Sequence, residues 1–273
     1  MPTPADALSP EAVAFYRRAL VRLDGAGVPF LVGGAFAFTA FTGVVRTTHD
    51  FDLFVRRADL DRAFEALRQT GCETEVTYPH WLAKAYRGEH FIDLIYRTGN
   101  GVSEVDDGWF ERAREGEALG VPVLLSAPED VLWTKAFIQE RERYDGADVA
   151  HLLLHADLDW DVLLAHFGDH WRVLLAHLVL FGFSYPSERD RIPRPVMREL
   201  TRRLEEETGR PPATQKVCNG PLLSRAQYLV DVEAWGFKDG RLQPELHMTR
   251  EDVAEWTENI DAENLPAGTT EAA

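Results

Sequence analysis

Phe30-Leu31-Val32-Gly33-Gly34, and after a short apolar segment His49-Asp50-Phe51-Asp52-Leu53-Phe54-Val55, set a diglycine between two apolar stretches and place two carboxylates in the second. Alternate side chains of a strand share a face, so Asp50 and Asp52 project together while Phe51 and Leu53 enter the core. A further carboxylate stands inside Phe91-Ile92-Asp93-Leu94-Ile95, and an aspartate within an apolar strand is costly to bury without a partner. Carboxylates held close repel one another. A hard cation with oxygen ligands relieves this, Mg²⁺ above all with Mn²⁺ as the alternative, and such a cation takes substrate phosphate among its remaining ligands.

Phe30-Leu31-Val32 reads as a short buried strand and residues 35–41 as a helix, which places the glycines where strand turns into helix. Glycine permits positive φ and close approach of backbone to a ligand, and the N–H groups opening a helix bind anions. A triphosphate is a fitting occupant. The Gly-x-x-x-x-Gly-Lys-Ser/Thr pattern is absent, which argues against a P-loop and leaves the carboxylates to hold the metal.

The ordered set Gly33, Gly34, Asp50, Asp52, Asp93 resembles the nucleotidyltransferase superfamily that shares its fold with DNA polymerase β. In that family a Gly-Gly or Gly-Ser pair precedes Asp-x-Asp on one strand and a third acidic residue on a later strand. The chain is most similar to the lincosamide and aminoglycoside nucleotidyltransferases and to toxin-like nucleotidyltransferases, which carry an arginine four residues before the first aspartate, as Arg46 stands before Asp50. The resemblance is strong over about 28–96 and weaker to about 154. It implies an α+β fold with a mixed β-sheet, helices packed on one side and a helical region following, a divalent metal and an NTP. Asp50, Asp52 and Asp93 are the implied catalytic residues and metal ligands, and Gly33, Gly34, Arg46 and Lys135 the implied nucleotide contacts. Lys135, with Asp145 and Asp148 after it, matches a family pattern in which a lysine reaches the triphosphate. The plain alternative for Asp145 and Asp148 is a helix cap and a surface charge; for Arg46 it is a structural salt bridge.

With 273 residues, 45% of them hydrophobic, the chain can build a sizeable core. It has no apolar run long enough to span a bilayer, and its first residues lack the basic start and apolar stretch of a signal peptide, so a cytoplasmic protein is expected. Cys72 and Cys218 stand far apart and suggest neither a disulfide scaffold nor a zinc ribbon. The net charge of −16 opposes general binding to DNA. Arg189, Arg191, Arg194, Arg198, Arg202 and Arg203 crowd one segment, where pairing to Glu199, Glu205 and Glu206 on a solvated helix is expected.

Along the chain, Ser9-Pro10-Glu11 opens a helix that runs to about Asp24, and a second helix spans about 59–69. Residues 50–55, 73–77, 81–87, 90–96 and 121–125 read as strands, with Gly88-Glu89 as a tight hairpin. Ser126-Ala127-Pro128 reads as another capped start, and the pattern is helical from there to about Phe183. Histidines 151, 155, 166, 170 and 177 show no His-Glu-x-x-His spacing, so surface or interhelical hydrogen bonds are expected rather than zinc. Trp160, Trp171, Phe167 and Phe181 read as core, 222–235 as one more helix, and the last residues, around Pro266-Ala267-Gly268, as disordered. The expected divisions are 1–125 (catalytic), 126–208 (helical) and 209–273 (extension with an acidic tail).

The resemblance implies transfer of an NMP from an NTP to an acceptor hydroxyl. Ala35-Phe36-Ala37 after the diglycine, where toxin relatives carry a basic residue, leans towards a small-molecule acceptor. The alternatives are a toxin-like enzyme acting on tRNA or protein and a non-catalytic NTP-binding regulatory module.

Overall fold

The computed structural model describes residues 3–258 except 47 and 49. Helix α1 (Pro10–Gly25) starts where Ser9 accepts a hydrogen bond from the Ala12 N–H, with Pro10 at the first helical position, where a missing N–H costs nothing. Strand β1 (Leu31–Val32) leads through the diglycine into α2 (Gly34–Thr42), then β2 (Asp52–Phe54) and α3 (Leu60–Arg68). Strands β3 (Glu73–Tyr78), β4 (Leu82–Arg87) and β5 (His90–Ile95) follow, the last two paired Arg87 to His90 around the expected Gly88-Glu89 turn.

Helix α4 (Asp107–Arg112) and the hairpin β6 (Arg114–Ala118) to β7 (Val121–Leu125) complete the sheet. Its order is β3-β4-β5-β2-β1-β7-β6, with β2/β5 and β1/β7 parallel and the remaining pairs antiparallel. It is the mixed sheet expected. Val32, Leu53 and Leu94 face the main core with α1, α2 and α3, whereas Leu31 and Phe54 face a small cluster under Trp109 of α4. That alternation is what sends Asp52, one residue from Leu53, to the face away from the main core.

The helical region is α5 (Pro128–Ala136), α6 (Gly146–His155), α7 (Trp160–Phe167), α8 (Trp171–Ser184) and α9 (Arg194–Thr208). Ser126 does not cap α5. Ala127 holds the cap position, and the Ser126 N–H instead donates to the Val32 carbonyl at 3.0 Å, prolonging the sheet. On α9, Arg202 pairs with Glu199 and Glu206, and Arg203 with Glu199. Phe167 and Phe181 are core, Trp160 and Trp171 partly buried against it. Cys72 and Cys218 are free thiols.

The extension departs from its expected helix over 222–235. A short parallel pair, β8 (Val217–Cys218) with β9 (Lys238–Asp239), frames a 3₁₀ turn at 220–222 and a helix α10 limited to Leu229–Glu233, before α11 (Arg250–Glu258). Residues 223–228 stay non-helical because their polar groups bond elsewhere: Ser224 and Arg225 both donate to Glu140 of the loop after α5. The tail expected to be disordered lies outside the described residues. Among those described, no helix is long and apolar enough to cross a membrane.

Candidate active site

The diglycine is fitted against β2. The Gly33 N–H donates to the Asp52 carbonyl at 3.0 Å. A Cβ on Gly33 would fall 2.2 Å from Cε2 of Phe54, and one on Gly34, whose φ is +50°, would fall 1.7 Å from Oδ2 of Asp52. Only glycine allows this approach. It brings the N-terminus of α2 onto the Asp52 carboxylate.

Asp52 and Asp93 are register partners on the parallel β2/β5 pair, and Asp50 stands just before β2 rather than within it. One carboxylate oxygen from each of Asp50, Asp52 and Asp93 can be chosen so that all lie within 4.8 Å of one another. The Thr48 hydroxyl donates to Asp50. Lys84, the cross-strand neighbour of Asp93 on β4, holds it at 2.7 Å. The strand pattern exposed the three aspartates; it did not single out Lys84, although the two-residue Gly88-Glu89 turn fixes the register that puts it opposite Asp93.

Burial, then the charges of Asp50 and Asp93, hold the Asp52 carboxyl well above its ordinary 3.8, with Arg143 and Lys135 pulling weakly the other way. Tyr16 stacks on Phe51 at 4.9 Å, and its hydroxyl, fully buried and without a hydrogen-bond partner among the described residues, is pushed up to about 12 by burial and then by Asp50, Asp93 and Asp52. The donor set is all oxygen and mutually repelling, which fits a hard divalent cation. A carboxyl raised on folding weighs against the fold as pH climbs from about 3.8, because the unfolded chain ionises first. A bound cation cancels that penalty. We therefore expect Mg²⁺ without nucleotide to raise the melting temperature more at pH 8 than at pH 5, by a few degrees on calorimetric scans; an equal shift at both would argue against a cation on these groups.

Lys135 of α5 donates to Asp145 at 2.9 Å and to Asp148 at 2.8 Å. Arg143 pairs with Asp145, and Arg46 with Asp148 at 2.6 Å, giving the chain Arg46–Asp148–Lys135–Asp145–Arg143. Burial raises the Asp145 carboxyl, but hydrogen bonds and charges from Arg143 and Lys135 outweigh it, so the net shift is down. Asp145 and Asp148 are both buried, so neither is a surface charge, and the Asp145 side chain makes no cap bond. Arg46, in its ion pair with Asp148, lies over the Phe38 ring, 5.5 Å from its centre, and is not among the residues lining the cleft over the carboxylates. His166 bonds Asp130 and His177 bonds the Ala136 carbonyl, as interhelical groups. Among the described residues the three aspartates form the single cluster able to hold a metal.

A cleft of about 430 Å³ lies over these groups, lined by residues of both the sheet and the helical region. Gly34, Asp50, Asp52, Asp93 and Lys135 line it, and so do Leu222, Arg225 and Trp256 of the extension, which nothing in the local sequence pattern announced. A second hollow of about 520 Å³ around Arg57, His80 and His247 does not touch the carboxylates.

No family model and no curated protein matches the chain. Among solved structures it is similar to an antigenic nucleotidyltransferase-like protein from Paracoccidioides brasiliensis, at 18% identity over 67% of this chain and 93% of that one, with a TM-score of 0.43. It is similar to the antibiotic-resistance factor ANT(2″)-Ia at 18% identity, over 74% of this chain and 99% of that one, with a TM-score of 0.39. The lincomycin-bound lincosamide antibiotic adenylyltransferase LnuA follows at 14% identity, over 53% and 96%, with a TM-score of 0.38. The chain resembles nucleotidyltransferases. What its own site can do rests on the carboxylates and the glycine approach just described.

Proposed function

We propose that the chain is a divalent-metal-dependent nucleotidyltransferase that moves an NMP from an NTP to a hydroxyl of a small-molecule acceptor. The observation that carries this reading is the convergence of Asp50, Asp52 and Asp93 within 4.8 Å, with the α2 N-terminus laid against Asp52. In this reading Asp50, Asp52 and Asp93 hold Mg²⁺ or Mn²⁺, which would neutralise phosphate charge and polarise the phosphorus under attack. The backbone N–H groups after Gly33 and Gly34 seat the terminal phosphates. Lys135 leaves part of its pairing with Asp145 and Asp148 to neutralise the departing pyrophosphate.

The acceptor oxygen forms a bond to the α-phosphorus as the bond to the bridging oxygen breaks, and pyrophosphate leaves with the electron pair. The hydroxyl proton passes to Asp93 or to water. Lys84 fixes the Asp93 carboxylate for either role. The net charge of −16 and the cleft of about 430 Å³ favour a small acceptor over tRNA or another polyanion. We assign 1–125 to the catalytic unit, 126–208 to the helical one and 209–273 to the extension, and place the protein in the cytoplasm.

Calorimetry with each NTP and Mg²⁺ tests this. The expected result is binding to the wild type that the Asp50→Asn/Asp52→Asn double variant loses. Equal binding by both proteins would take the nucleotide away from these carboxylates.

A further inference from the structure

The cleft has two ends, and the sheet order tells them apart. Gly34 at the start of α2, Asp52 on β2 and Asp93 on β5 succeed one another across the sheet. Lys135 belongs to the α2 end, its Nζ 5.4 Å from the Phe38 ring centre. In an in-line transfer the attacking oxygen enters opposite the leaving group. With pyrophosphate at Gly34 and Lys135, the acceptor lies beyond Asp93.

That far end is walled by Trp81, Ile95, Leu222 and Trp256. The extension supplies two of these four. The Leu222 carbonyl accepts from Asn100 Nδ2 at 2.9 Å and the Leu223 carbonyl from the Gln139 N–H at 3.0 Å, so residues 221–225 run as a strap from the loop after β5 to the end of α5. Glu140 anchors the strap through the Ser224 hydroxyl (2.6 Å) and the Arg225 N–H (3.0 Å). Trp256 of α11 lies flush on Gly99, where a Cβ would fall 2.6 Å from its Cζ2. Buried Arg241, paired with Asp239 at 2.7 Å, donates to Thr257 at 3.1 Å and so ties α11 down.

The charges along this wall are matched: Arg225 with Glu140 at 3.1 Å and Arg97 with Glu104 at 2.5 Å. Glu142 also lines the cleft, on the loop whose next residue, Arg143, pairs with Asp145 at the Lys135 end. Apart from the three aspartates and Glu142 at the Lys135 end, a polycation would find the carboxylates along this wall already engaged. The Arg225 guanidinium lies 5.1 Å from the Trp256 ring centre, so an apolar ring face would find Trp81, Ile95, Leu222 and the part of Trp256 that Gly99 and Arg225 leave uncovered.

We propose that the strap 221–225 and Trp256 form the acceptor subsite, and that it takes a neutral hydroxylated compound with a flat apolar face in preference to a polycation. The assignment of this end to the acceptor rests on the nucleotidyl-transfer reading.

Binding of 4-nitrophenyl β-D-glucopyranoside and of spermine, each with Mg²⁺ present, tests it. The aryl glucoside should bind the wild type; Trp256→Ala should weaken it about fivefold or more, and Trp256→Phe, which keeps a ring on Gly99, should restore most of that affinity. NTP affinity measured in the same variants should stay within about twofold of the wild type. No aryl-glucoside binding, binding indifferent to Trp256→Ala, or tighter binding of spermine would overturn the proposal. So would loss of NTP affinity in a Trp256→Ala protein that melts as the wild type does, since that puts the base on this wall. If the aryl glucoside binds through Trp256 while no NTP binds the wild type, nucleotidyl transfer fails and with it the acceptor role, leaving an aryl-binding pocket.

Discussion

Asp52→Asn will cost about 10³-fold or more in nucleotidyl transfer, yet fold at least as well as the wild type without metal. Both effects have one cause. Asp52 is half-buried beside Asp50 and Asp93, and its raised carboxyl pKa reflects how poorly the metal-free fold tolerates its charge. An amide of the same shape removes the repulsion and can still accept a hydrogen bond, so the melting temperature in EDTA should hold or rise at pH 8. The same change removes a carboxylate from the proposed metal site, so pyrophosphate release should fall to background. Undiminished metal-dependent release from this variant would remove Asp52 from the chemistry; a large drop in melting temperature would mean that its charge is satisfied within the protein. Sites that give up stability for function commonly respond in this way.

Gly34→Ala will be damaging in both respects. The new methyl group would lie 1.7 Å from the Asp52 carboxylate, at a φ of +50° that alanine adopts only under strain. Overpacking and backbone strain together should cost roughly 3 kcal/mol, read as a lower denaturant midpoint with an unchanged slope. The relief available is to swing Asp52 or α2 aside, and either movement opens the gap between the α2 N-terminus, the proposed phosphate seat, and the carboxylates. Transfer should therefore be lost even at temperatures where the variant remains folded. A variant that folds and turns over normally would mean that the diglycine serves only as a turn.

Much of this site was readable before folding because strand periodicity is local. Asp50-Phe51-Asp52-Leu53 and Phe91-Ile92-Asp93-Leu94 state which side chains share a face, and the glycines between Val32 and Ala35 state where strand becomes helix. The β6/β7 hairpin escaped notice because its turn is Leu119-Gly120, both at positive φ, where Asn-Gly or Asp-Gly would have announced it, and because β6 is Arg-Glu-Gly-Glu-Ala, weak in strand formers. The helix expected over 222–235 failed for the opposite reason. Local propensity favoured it, but Glu140, Asn100 and Gln139 offered its backbone and side chains partners that a helix could not reach.

The sequence by itself determined the carboxylates, the diglycine, the strands that carry them and the break between sheet and helices, since each depends on neighbours a few residues away. Only the tertiary structure decided what those groups meet. It paired Arg46 with Asp148, tied Lys135 between two buried aspartates, and drew residues 221–225 and Trp256 across more than a hundred positions of chain to close the cleft. Ion-pair partners and pocket walls are set by which surfaces pack together, and packing is a property of the whole chain that no local period encodes.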